Sequence, residues 1–180
     1  MESFTLSEIE KLFTIPQHVL IHLCEKQVVI PGIQQTSGRG SFRRFSEDNV
    51  FEFAVALELK KYQIPLTVIK ALLIVLSATS KKLSSNTKLD SFVSHFRYIQ
   101  TDLYIFEGTY IALEFKNVPN DLQSSKSEKT QILGIDLSRL LEQEHPLISL
   151  DRHSKLPDRS VSYLKVGLSD IAHRIALQVQ

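Results

Sequence analysis

The sequence predicts a mixed fold: an all-α N-terminal unit carrying a small β hairpin, followed by a small α+β domain. Three observations point to it. Apolar residues recur at helical spacing through four segments before residue 77. A Ser- and Lys-rich stretch, "SATSKKLSSNTK" at 77–88, then reads as a linker. Beyond it, β-rich runs such as "DLYIF" and "TYIALEF" alternate with helical ones. The expected organisation is therefore 1–76, a linker at 77–88, and a second domain at 89–180. A chain of 180 residues has room for both.

Thr5 and Glu8 have capping-box spacing, and Phe4 and Ile9 occupy the staple positions around them. A first helix over 6–13 follows, with Leu6, Ile9, Leu12 and Phe13 on one face. Ile15-Pro16 breaks it, and Pro16 suits the first position of a second helix running to about Lys26 that buries Val19, Leu20 and Leu23. "VVI" at 28–30 reads as a short strand, Pro31-Gly32 as a turn, "QQTSGRGS" as a loop and "FRRF" at 42–45 as the returning strand. Ser46 is the expected N-cap of a third helix, with Glu47 and Asp48 in its first turn and Val50, Phe53, Ala54 and Leu57 as its stripe. After "QIP", Ile69, Leu72, Leu73 and Leu76 line a fourth helix.

In this order and spacing, residues 4–76 resemble the winged helix-turn-helix domain of MerR-type transcription regulators. The resemblance rests on "TLSEIEKLF", the turn "IPQH", Pro31, the wing ending "FRRFSED" and "LELKKYQIPLTVIKALL". It implies that helix 16–26 enters the major groove of double-stranded DNA and that 32–45 forms a wing on the backbone. Arg43 matches the wing arginine that holds phosphate, a role suited to a bidentate guanidinium. Arg39 and Arg44 are local candidates beside it. Alternation along the strand puts Arg43 and Arg44 on opposite faces. Phe42 and Phe45 are expected to pack the wing onto the first and third helices.

The second helix departs from the family pattern. Ile21, His22 and Leu23 stand where the family carries an arginine and two aromatics, and no Lys or Arg lies between Pro16 and Glu25. Base-edge readers in it are then Gln17, His18 and His22, with Gln able to pair bidentately with adenine. The same feature favours an alternative, a protein-interaction module on a winged-helix scaffold with little base reading. The family's long dimerisation helix also has only "LDSFVSHFRYI" at 89–99 as its counterpart. A homodimer is expected because two half-sites multiply the affinity of one short module.

In the second domain, "DLYIF" and "TYIALEF" form a hairpin around Glu107-Gly108, and "TQILGI" is a third strand. Asp136 caps a short helix through Glu144, "SVSYLKV" at 160–166 is a further strand, and Leu168, Ile171, Ala172 and Ile175 mark a final helix. This domain is expected to sense an unidentified ligand, bind a protein partner or assemble the chain. His145, His153 and His173 lack metal-ligand spacing, and no phosphate loop or nucleophile motif occurs. No enzyme activity, cofactor or metal is therefore expected. Net charge is +1, with eight basic and eight acidic residues before residue 77, so basic character is local to 39–44. Cys24 is the single cysteine and reads as a small buried hydrophobe. The longest apolar run, "ALLIVL", is far shorter than the roughly 18 residues of a membrane span. With no basic-then-apolar start in "MESFTLSEIE", a cytoplasmic protein without membrane contact is expected.

Overall fold

The computed structural model describes residues 3–33, 43–84, 92–106, 110–116, 130–136, 151–153 and 162–179. It divides into two compact units, 1–74 with 174–180 and 75–173. The architecture is mixed, helical in the first unit and α+β in the second.

Helix α1 spans Leu6–Phe13. Its capping box is formed: the Glu8 amide donates to Thr5 Oγ1 at 3.3 Å, and the Thr5 amide donates to Glu8 Oε2 at 2.7 Å. The helix ends at Thr14, a β-branched residue in the left-handed region at φ 54°. Helix α2, Gln17–Glu25, follows at once, with Pro16 at the N-cap rather than inside the first turn. Leu20 and Leu23 are fully buried, while Val19 is only half-buried.

Val28–Ile30 is not the expected strand. Gln27 turns the chain at φ 54°, and the Val28 amide donates back to Leu23 O at 2.8 Å. Val28 and Val29 are both buried, so the segment tucks into the core instead of alternating between two faces. The returning segment pairs elsewhere. Phe45 forms an antiparallel bridge with Phe4, their amides donating to each other's carbonyls at 2.8 and 2.9 Å. Its ring is fully buried and meets Phe53 edge-on at 5.4 Å. Phe42 and the loop 34–41 lie outside the described residues.

Helix α3, Glu47–Lys61, is capped by Ser46 as expected. Val50, Phe53 and Leu57 are buried and Ala54 half-buried, and Phe51, Val55, Ala56 and Leu59 are buried too. The helix is therefore covered on most of its circumference. Helix α4 runs Leu66–Ser84, with Ile69, Leu72, Leu73 and Leu76 buried. This corrects the linker: 77–84 is helical, and the division between units falls inside α4. Polar composition concealed a buried continuation, because Thr79 and Ser80 are both buried and Ser80 Oγ pairs with His95 Nδ1 at 3.0 Å.

The second unit continues with α5, Phe92–Tyr98, then β1, Gln100–Phe106, and β2, Tyr110–Lys116, the expected hairpin. Strands β3, Thr130–Asp136, β4, Asp151–His153, and β5, Tyr163–Gly167, complete an antiparallel five-stranded sheet in the order β4-β3-β2-β1-β5. Helix α6, Leu168–Val179, follows β5 directly and is itself divided between the units after His173, and Leu168, Ile171, Ala172 and Ile175 are all buried. The helix proposed after Asp136 lies outside the described residues. Register puts Leu103, Ile105, Ile111, Leu113 and Val166 on one sheet face. Asp102, Tyr104, Phe106, Ala112 and Glu114 share the other, and both sets are buried.

Candidate nucleic-acid interface

Helical spacing sorts the exposed side of α2 into two stripes. His18, His22 and Glu25 recur at i, i+4 and i+7 and are all exposed. Gln17, Ile21 and Cys24 recur at the same spacing and are all half-buried. The three expected base readers are therefore not equivalent, since His18 and His22 project together while Gln17 has apolar companions. Glu25 extends the exposed stripe with a negative charge, a feature the sequence reading passed over.

Arg43 is exposed, and its guanidinium lies close enough to α2 to act on the Cys24 thiol. Burial pushes that thiol above its ordinary pKa, although Arg43 acts in the opposite direction. Cys24 is half-buried rather than a core residue. Arg44 turns the other way. It is half-buried, and its Nη1 donates to Ser3 Oγ at 3.4 Å. Its charge also reaches Glu8, whose carboxyl is held below the usual range first by the Thr5 backbone and hydroxyl hydrogen bonds. The two arginines thus diverge, as alternation requires. Arg39 lies outside the described residues.

Asn49 organises the base of this region and was not foreseen. Its Oδ1 accepts from the Gly32 amide at 2.8 Å and the Ser46 amide at 3.2 Å. Its Nδ2 donates to Ile30 O at 3.0 Å and Glu52 Oε2 at 2.8 Å. Ser46 Oγ accepts from the Asn49 amide at 3.2 Å, so a second capping box is formed. The spacing Ser46-x-x-Asn49 was the available signal. Glu52 is driven by burial to a pKa of about 7, against the hydrogen bond from Asn49.

The second unit carries a different polar cluster. Asp102 Oδ2 accepts from Lys116 Nζ at 2.8 Å and Lys165 Nζ at 3.0 Å, and Lys116 also pairs with Glu114 at 3.1 Å. Burial opposes ionisation of Asp102, yet the two lysines more than offset it and hold its carboxyl below the usual range. Tyr104 Oη donates to Glu114 Oε2 at 2.9 Å, and burial with that neighbour pushes its phenol up to about 12. Two acids and two bases match one another here, beside the rings of Tyr104, Phe106, Tyr110 and Tyr163. This is an internally neutralised network. Among the described residues, no group of three or more His, Cys, Asp or Glu side chains could hold a metal ion, and no helix is long and apolar enough to cross a membrane. No family model matches the chain, and no curated protein matches its sequence.

Proposed function

We propose that the chain is a DNA-binding transcription regulator whose first unit is a winged helix-turn-helix of MerR type. In this reading α2 approaches the major groove, Arg43 on the wing's return strand holds a backbone phosphate, and the second unit senses a ligand or assembles the chain. One observation carries it: Arg43 is exposed and rests on the α2 side of the segment, while the Phe4–Phe45 bridge anchors the strand beneath it. His18 and His22 supply polar contacts on the same helix; Arg44, directed at Ser3, contributes less. Double-stranded DNA is the partner, and a cytoplasmic location accompanies this reading.

Salt titration of duplex binding tests it. Log affinity of the full chain should fall linearly with log salt, and Arg43→Ala should flatten the slope by about one. Affinity insensitive to both salt and Arg43→Ala would remove the phosphate role. A second reading, a protein-interaction module, is favoured by the absence of Lys and Arg from Gln17–Glu25 and by Ile30 and Ile33, which are 52% and 44% exposed. It predicts no duplex binding at any salt concentration.

A further inference from the structure

We propose that Asn49 is a positioning residue for the DNA interface, fixing the exit of α2 against the strand that carries Arg43. The inference rests on the DNA-binding reading above. A carboxamide has one acceptor oxygen and two donor hydrogens. Around Asn49 the two backbone amides face Oδ1, and the two acceptors face Nδ2. Reversing the amide would set donors against donors, so its orientation is dictated by its partners. Both ends of the link are main chain: Ile30 O and Gly32 N on the α2 exit, Ser46 N three residues after Arg43.

Contact at Gly32 is close. A Cβ there would stand 3.1 Å from Asn49 Oδ1, closer than ordinary contact, so the Asn49 carboxamide or the α2 exit would have to give by a few tenths of an ångström; Ser46 Oγ, at 3.5 Å, is at ordinary distance. Arg43 lies beside Cys24 of α2, and Asn49 ties the chain leaving α2 to Ser46, so the Asn49 link is what holds the spacing between the α2 surface and Arg43. Phosphate and groove contacts made together need that spacing, because a duplex presents both at fixed separation. Of the two capping-box partners, the Ser46 hydroxyl touches only Asn49, accepting from its amide at 3.2 Å and donating to its Oδ1 at 3.3 Å, whereas Asn49 also holds Ile30 and Gly32.

The test compares Asn49→Ala, Gly32→Ala and Ser46→Ala in the full chain, with a mixed-sequence duplex as probe. Asn49→Ala and Gly32→Ala should each weaken binding about tenfold, the worth of one charge-assisted contact held out of place. In either background Arg43→Ala should no longer flatten the salt slope. Ser46→Ala should lower the melting temperature yet leave affinity and slope unchanged. Gly32→Ala keeps the α3 cap, so it decides the matter if Asn49→Ala fails to fold. The proposal is overturned if Arg43→Ala still flattens the slope by about one in the Gly32→Ala chain, or if Ser46→Ala weakens binding as much as Asn49→Ala. A wild-type chain that binds no duplex overturns the DNA reading itself, and this inference with it.

Discussion

Glu52 is the residue whose environment most alters its chemistry. In the unfolded chain its carboxyl titrates near 4.5; in the folded chain burial raises this to about 7. Between those values the folded state holds a proton that the unfolded state has released. Stability contributed by this group is therefore full below the unfolded value and falls as pH rises through the folded one. A shift of that size corresponds to about 3 kcal/mol at its upper end. Glu52→Gln keeps an oxygen for the Asn49 amide and removes the charge. The variant should match wild type in denaturant melts near pH 4 and exceed it increasingly towards pH 8. An equal difference at both pH values would show that the Glu52 charge carries no such cost.

At the scale of elements, the α1–α2 turn holds the clearest strain. Thr14 sits at φ 54° with its amide donating to Lys11 O at 3.4 Å, a left-handed helix end usually taken by glycine. A β-branched side chain is disfavoured there, at about 1–3 kcal/mol. Thr14→Gly should raise stability by about 1 kcal/mol in thermal or denaturant unfolding, and a loss instead would mean the side chain stabilises the turn. The same elements indicate what could be read in advance. Helix α1 was legible to the residue because Thr5, Glu8 and the apolar stripe agree with one another. The β1–β2 hairpin was legible because the strand-forming runs Asp102–Phe106 and Tyr110–Phe115 flank Glu107-Gly108 in the sequence. Val28–Ile30 was misread because three apolar residues in a row fit a strand or a buried turn equally well, and only Gln27's left-handed backbone decides between them. The α4 extension was hidden because burial of Thr79 and Ser80 depends on tertiary partners such as His95. Of the candidate site, Arg43 and Arg44 diverge as alternation required. The Asn49 link joins residues 19 and 17 apart in the chain, beyond the reach of local pattern.

For the whole molecule, the mixed architecture separates a unit proposed to touch DNA from one proposed to sense or assemble. Homodimer formation belongs to this scale, because one short α2 and one Arg43 provide few contacts and twofold repetition multiplies them. Sedimentation equilibrium of the full chain should give twice its 20.5 kDa mass. A monomer at the concentrations where duplex is bound would remove the dimer from the proposal. The division inside α4 also bears on any shortened chain: ending it at Ile74 cuts that helix roughly in half. Helices of under a dozen residues depend on their packing to persist. The full chain is therefore the right material for binding work.

The contact between Arg43 and Cys24 has a kinetic consequence. A protonated thiol is a weak acceptor, and burial keeps Cys24 protonated at neutral pH. In the DNA-binding reading, a phosphate arriving at Arg43 would meet a guanidinium whose neighbour on α2 is an uncharged thiol, so no ion pair with Cys24 would have to break first. The lifetime of such a complex would then be decided after arrival, by how well the rest of the surface fits.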